Sequence, residues 1–341
     1  MRASYSRNIA VGKLGPMSEN TAWGFGLATS RPDGKILDVW YPHPQLGTPP
    51  DDARPDPVLK SLERDDDLRR VHLRIVQTVI NLDEEPDSAA SAYLRLHLLS
   101  WRFVRPNEIN LDGIFSVLEN VAWTSKGPCF LEDFEETRMR VRAATNTPVR
   151  ILSVDKFPRM VDYIIPSGVR IADGNNVRLG AYLSEGTTVM HAGFVNYNAG
   201  SLGRAMIEGR VSQGVVVDEG ADIGGGASTM GTLSGGGRKR VRVGKRSLLG
   251  ANSGLGIPVG DDCIVESGLY VTAGTKVTVL PSGGVAPGRE GYIQEPDVVP
   301  AAMLGGMDNI MYRRNSLSGA VEAVSRPGTK GVELNEFLHK N

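Results

Sequence analysis

Between Ile165 and Leu280 an aliphatic residue recurs every six positions, in four phased runs. The first run is Ile165, Ile171, Val177, Leu183, Val189 and Val195, and the second is Val211, Val217 and Ile223. The third is Val243, Leu249 and Leu255, and the fourth is Val259, Val265, Val271 and Val277. A period of six fits neither a 3.6-residue helix nor an alternating strand. It predicts a coil in which every side is a short strand ended by a tight corner. Three sides make a turn of about 18 residues, and stacked turns bury one aliphatic per side in a triangular interior. In the first fifteen hexads the residue three after the aliphatic is Gly nine times: 168, 174, 180, 186, 214, 220, 226, 268 and 274. Asn198, Asn252 and Asp262 fill three more of these positions. These residue types tolerate the left-handed backbone of a corner, and the chain's own glycine frequency would supply roughly two. The competing fold, a Gly-rich β-sandwich, turns about every 8–12 residues instead. The period thus gives a parallel β-helix without fixing its hand.

Two of the phase breaks are long. One break spans NYNAGSLGRAMIEGR, between Val195 and Val211; the other runs from Ile223 to Val243, where TMGTLSGGGRKRVR is expected to leave the coil as an exposed loop. Insertions in a solenoid project from one side and often carry function.

Ahead of the coil, residues 17–160 read as a mixed α/β domain. TSRPDGKILDVWYP holds an Asp-Gly turn signal and predicts a hairpin. Pro57 to Ile80 predicts an amphipathic helix, with Leu59, Leu62, Leu68, Val71 and Ile75 near helical spacing. On that reading Asp65, Asp66 and Asp67 form a solvated helix face rather than a metal site. SAYLRLHLLSWRFV and FLEDFEETRMRVRAA are helix or strand candidates. The coil is assigned to residues 161–280 and a small C-terminal segment to 281–341, in which RRNSLSGAVEAV packs beside the solenoid and GTKGVELNEFLHKN caps its open end. Residues 1–16 are expected to be a disordered extension, with Met17 a second plausible start.

Composition removes several functions. Net charge is −1, from 38 basic and 39 acidic residues, which leaves no footprint for nucleic acid or a membrane surface. No apolar stretch approaches the ~18 residues of a membrane span, and the N-terminus lacks a secretory h-region. Cys129 and Cys263 make no disulfide framework and no CxxC site. A cytoplasmic enzyme is the consistent expectation.

Five histidines occur, and only His191 falls inside the repeats, so a zinc site of the γ-type carbonic anhydrase kind, with three imidazoles, is excluded. Without an evident carboxylate partner, His191 reads as structural rather than as a general base. Glu208 is the better candidate. It lies in the first phase break beside Gly209 and Arg210. A carboxylate there can take the proton of an amine attacking a thioester, and the neighbouring cation can hold an acidic substrate.

The blocks NYNAGSLGRAMIEGR, GGGASTMGTLSGGG, GKRSLLGANSGLGIPVGDDC, ESGLYVTAGT and RRNSLSGAVE together resemble the tetrahydrodipicolinate N-succinyltransferases, in the actinobacterial branch of the hexapeptide-repeat acyltransferases. The resemblance is close over residues 165–340 and looser before them. It implies a left-handed coil and a homotrimer with clefts between neighbouring solenoids. It further implies succinyl transfer from succinyl-CoA to the amine of L-2-amino-6-oxopimelate, the opened form of tetrahydrodipicolinate, on the route to diaminopimelate and lysine.

By the same resemblance Glu208 is the catalytic carboxylate, as base or acyl carrier, and Arg210 binds substrate. Gly225 and Ser228 line the cleft, and Ala251, Glu266, Ser267 and Gly274 lie along the pantetheine arm. Arg313, Arg314, Asn315 and Ser316 meet the CoA nucleotide, where paired guanidiniums suit phosphate. Acidic residues that hold a divalent ion on the trimer axis in that branch are matched here by Asn175 and Ala192, so no metal is expected. Two alternatives stand beside this reading: a related acyltransferase with another acyl donor or amine acceptor, and a β-helix assembly without catalysis.

Overall fold

A computed structural model describes residues 20–231, 240–280 and 298–326. The first sixteen residues, the centre of the expected exposed loop and the final GTKGVELNEFLHKN lie outside the described residues.

The predicted hairpin forms from strands Thr21–Ser30 and Ile36–Trp40. Gly34 takes the left-handed turn position at φ +89°. Residues 57–80 are not one helix. A four-residue helix, Pro57–Lys60, is capped by the Asp56 carboxylate, and strands Arg64–Asp66 and Val71–Asn81 follow. Val71–Asn81 pairs antiparallel with the first strand from Thr21↔Asn81 to Ser30↔His72. Six β-branched residues (Val71, Ile75, Val76, Thr78, Val79 and Ile80) favour that ladder, and its partner lies about fifty residues upstream, beyond any helical window. The acidic triplet therefore starts on a strand rather than on a helix face. Asp65 receives His72 Nδ1 at 2.6 Å, and Asp66 receives Arg69 Nε at 2.8 Å.

The two undecided segments are both helices, Ala89–Ser100 and Phe134–Thr145. The first is closed at its N-terminus by reciprocal Ser88–Ser91 hydrogen bonds and buried from Ser91 to Ser100. It joins the sheet to the coil: Ser100 Oγ donates to the Ala181 carbonyl at 3.0 Å and accepts the Gly180 N–H at 2.8 Å. A three-stranded sheet, Val121–Thr124, Gly127–Cys129 and Ile151–Asp155, completes this part.

The coil closes as the period predicts. One face stacks Ile171, Val189, Ile207, Ile223, Leu249 and Val265 in parallel register. A second stacks Val177, Val195, Val211, Thr229, Leu255 and Val271, the Val211 and Thr229 rungs being tied by the Arg210↔Ser228 pair. The third stacks Leu183, Ser201, Val217, Val243 and Val259. From Val177 onward all of these inward residues are buried. Each fully buried aliphatic contributes about 1.5–3 kcal/mol.

The first phase break is not an excursion. Ser201 and Ile207 continue the coil, and only the step from Ile207 to Val211 is short, at four residues. Polar inward residues hid this continuity, and the coil satisfies each of them. Ser201 Oγ meets Thr187 Oγ1 at 2.7 Å, and Thr229 Oγ1 donates to the Arg210 carbonyl at 2.9 Å. The step from Leu255 to Val259 is shortened in the same way.

Three smaller expectations change. Ile165 is 81% exposed, and Ile164 is the buried residue at the coil's entrance. Gly174 sits in a short 3₁₀ turn, and Gly274 likewise has no positive φ. The other seven corner glycines, with Asn198, Asn252 and Asp262, do adopt it.

RRNSLSGAVEAV does not lie beside the solenoid as a separate tail. It forms the hairpin of strands Ile310–Arg314 and Val321–Ser325, and Met311–Tyr312 pairs in parallel with Ile264–Val265. The hairpin thus adds a further rung to the first face, with Tyr312 fully buried.

Candidate active site

The four-residue step builds the site. Gly209 lies at its middle, where an added Cβ would come within 2.4 Å of the Ala227 carbonyl oxygen. Only glycine allows the next turn to approach so closely. The tight corner puts Glu208 at the end of one face and Arg210 at the start of the next. The Arg210 guanidinium donates through Nε to Ser228 Oγ at 3.1 Å, one turn up. The Glu208 N–H is held by the Ile223 carbonyl at 2.8 Å.

Above Glu208 the corners of successive turns stack along one edge. Gly226 N donates to the Glu208 carbonyl, Asn252 N to Gly225, and Gly268 N to Ala251, at 3.3, 2.9 and 2.8 Å. Glu208, Gly225, Ala251, Glu266 and Ser267 therefore share an edge about three turns long, or roughly 14 Å at strand spacing. A Cβ on Gly225 would have only Glu208 Oε2 for a neighbour, at 3.8 Å. The carboxylate thus faces an open notch. At the upper end, Glu266 Oε2 accepts the Arg314 N–H at 2.6 Å, which brings the hairpin to the same edge.

The remaining expected residues are placed less uniformly. Gly274 lies on a different edge, following the second face. Arg313 Nε and Asn315 Nδ2 both bond the carboxylate of buried Glu322, at 2.8 and 2.7 Å, so these two brace the hairpin. Arg314 is exposed and, among the described residues, has no carboxylate on its guanidinium; Ser316 is exposed beside it. The pair of guanidiniums expected to be free is divided between a structural arginine and an exposed one. His191 lies one turn below Glu208, its carbonyl accepting from Asn176 Nδ2 at 2.9 Å. Asn175 is engaged by Arg159 Nη1 at 3.0 Å and donates to Asp173 at 2.9 Å.

Sequence reasoning missed Asp222. It is half-buried on the first face, between Met206 and Leu248 on the rungs either side. Burial pushes its carboxyl up to about 6, and the neighbouring Glu208 charge pushes the same way. Its sequence signal was an acid at an outward hexad position, directly before the inward Ile223.

A large cleft among the described residues, about 1030 Å³, lies in the N-terminal part between Trp40, Trp123 and Tyr163, away from Glu208. The Glu208 edge is by contrast an open groove. Its chemistry is that of a carboxylate, a cation and exposed backbone along a track, suited to a long ligand with an acidic end.

The chain is similar in sequence and fold to known proteins. Residues 118–159 match the family model described as tetrahydrodipicolinate N-succinyltransferase middle, and residues 240–273 match the hexapeptide repeat of succinyl-transferase. The chain is 44% identical to the 2,3,4,5-tetrahydropyridine-2,6-dicarboxylate N-succinyltransferase of Vibrio cholerae, covering 94% of this chain and 98% of that one. It is 52% identical to the enzyme of the same name from Pseudomonas aeruginosa, over 78% of this chain and 74% of that one. A crystal structure of a putative 2,3,4,5-tetrahydropyridine-2-carboxylate N-succinyltransferase from Campylobacter jejuni superposes with a TM-score of 0.74. That pair is 31% identical, over 90% of this chain and 93% of the other.

Proposed function

The chain belongs to the tetrahydrodipicolinate N-succinyltransferase family, and from that premise we propose how its left-handed parallel β-helix carries out the reaction. The enzyme transfers the succinyl group of succinyl-CoA to the amine of L-2-amino-6-oxopimelate, in the succinylase route to diaminopimelate and lysine. Glu208 is the carboxylate at the reacting centre. The observation that carries this is its position at the tight corner, facing the open notch at Gly225 with Arg210 across the same corner.

In the transfer the amine nitrogen bonds to the thioester carbonyl carbon, the C–S bond breaks, and the sulfur leaves as CoA thiol. Glu208 serves this in one of two ways. It takes the amine proton as the amine attacks, or it attacks the thioester itself and carries the succinyl group as an anhydride. Arg210 holds a substrate carboxylate, Ser228 orients Arg210, and Gly225 gives backbone access. The CoA arm follows Ala251, Glu266 and Ser267 up the edge toward Arg314 and Ser316, with Arg313 and Asn315 bracing their hairpin; Gly274 borders a second surface.

A homotrimer completes the groove with a neighbouring solenoid, and the open form of the Glu208 edge in one chain supports that arrangement. The setting we infer is the cytoplasm, and buried, unpaired Cys129 and Cys263 fit a reducing compartment. The axial position takes no metal in this reading, since the Asn175 amide is already engaged by Arg159 and Asp173.

A CoA-release assay with succinyl-CoA and tetrahydrodipicolinate tests the assignment. Glu208→Ala should lose at least about a hundredfold in turnover while keeping its melting temperature and oligomer. Wild-type turnover in that variant would remove Glu208 from the mechanism. Hydroxylamine added after free succinyl-CoA has been removed yields a hydroxamate from the wild type, and none from Glu208→Ala, if the anhydride forms. A donor scan with acetyl-CoA separates the alternative acyltransferase reading, and a folded chain inert with every donor would leave the non-catalytic assembly.

A further inference from the structure

Asp222 and Glu208 are the outward carboxylates of two hydrogen-bonded turns. Met206 pairs with Asp222 and Ile207 with Ile223, so Glu208 lies opposite Gly224 and diagonal to Asp222. Gly224 has no side chain to separate the two acids, and diagonal neighbours on a sheet face lie within reach of long side chains. Among the described residues neither carboxylate receives a hydrogen bond or an ion pair. Arg210, the nearest cation by sequence, is directed onto Ser228.

The environments of the two acids differ. Asp222 is flanked by Met206 and Leu248 on a half-buried wall, whereas Glu208 faces the notch at Gly225. Two adjacent acids without a cation do not both ionise cheaply, and the less solvated one keeps the proton. We propose that Asp222 is a positioning residue that carries the proton of a carboxyl pair, donating it as a hydrogen bond that aims an ionised Glu208 into the groove. This rests on Glu208 being the reacting carboxylate and assigns the neighbour that sets its charge and direction. The upward displacement of the Asp222 titration agrees with the geometry.

The other charged groups around this face are few. Arg204, Glu219 and Arg246 stand at its preceding corner, where Gly186, Gly203 and Gly220 pack against them, and Arg246 is paired with Asp262. His191 lies a turn below Glu208, and Glu266 two turns above Asp222. No hydrogen bond or ion pair joins any of them to Asp222.

The test is the pH dependence of kcat/KM in the intact enzyme. Asp222→Asn keeps a neutral hydrogen-bond donor that cannot ionise, so the fall in rate that accompanies loss of the Asp222 proton at higher pH should move up by at least about half a pH unit. Asp222→Leu removes the hydrogen bond, and kcat should fall roughly tenfold with KM for succinyl-CoA unchanged. A high-pH limb for Asp222→Asn that coincides with wild type overturns the proposal, as does a wild-type kcat for Asp222→Leu. Should the leucine variant fail to fold, the asparagine profile decides. Glu208→Gln is measured alongside: full activity there would defeat the reading of Glu208, whereas an inactive Glu208→Gln with unmoved Asp222 profiles defeats this inference alone.

Discussion

At the scale of single residues, the N-terminal part carries polar groups that only a folded interior can hold. His97 is fully buried; its Nε2 accepts the Tyr41 N–H at 3.2 Å and its Nδ1 donates to the Tyr93 carbonyl at 2.7 Å. Desolvation lowers its pKa from 6.5 to about 4. The folded state therefore holds it neutral at pH values where the unfolded chain protonates it. Its contribution is complete above pH 6.5 and is lost as pH falls toward 4, up to about 3 kcal/mol by linkage. Denaturant melts at pH 7.5 and 5 should show the wild type losing more stability than His97→Gln over that interval. Equal losses would show that the imidazole is not held neutral. Arg95 is similar in kind: its guanidinium is buried and satisfied by the carbonyls of Asn81, Glu84, Ser91 and Asn110. Nothing in its sequence neighbourhood announced that role, since the acceptors come from three separate segments.

At the scale of elements, the corners matter more than the strands. A strand here has two residues, and the corner decides where the next one lies. Gly209→Ala should cost about 1–3 kcal/mol through the clash with the Ala227 carbonyl, and should lower turnover by shifting Glu208 against Arg210. Unchanged denaturation and unchanged turnover together would contradict that account. The same corners explain what the sequence made legible. The aliphatic hexads disclosed the coil because every inward site from Val177 on is buried in a common interior. Ser201 and Thr229 escaped because their partners, Thr187 and the Arg210 carbonyl, lie a turn away. Asp222 escaped for a related reason: an outward hexad position accepts almost any residue, and its meaning comes from Glu208, fourteen positions earlier. The misread helix at Pro57–Ile80 shows the opposite limit, where a local spacing yielded to a strand partner at Thr21–Ser30.

At the scale of the whole molecule, the coil orders the site by height. Each turn is one hydrogen-bonded rung, so Glu208 and the Glu266–Arg314 contact are separated by a whole number of rungs. That separation works as a graduated scale with divisions of roughly 4.8 Å. It cannot be tuned by small adjustments, only lengthened or shortened by a division. Duplicating the turn from Gly224 to Leu249 should leave a folded solenoid, since each turn contacts only its neighbours. It should also raise KM for succinyl-CoA at least tenfold, and wild-type KM in the lengthened enzyme would mean that the arm does not span that interval. On such a scale the length of an acceptable ligand is counted, like teeth on a rack, rather than measured.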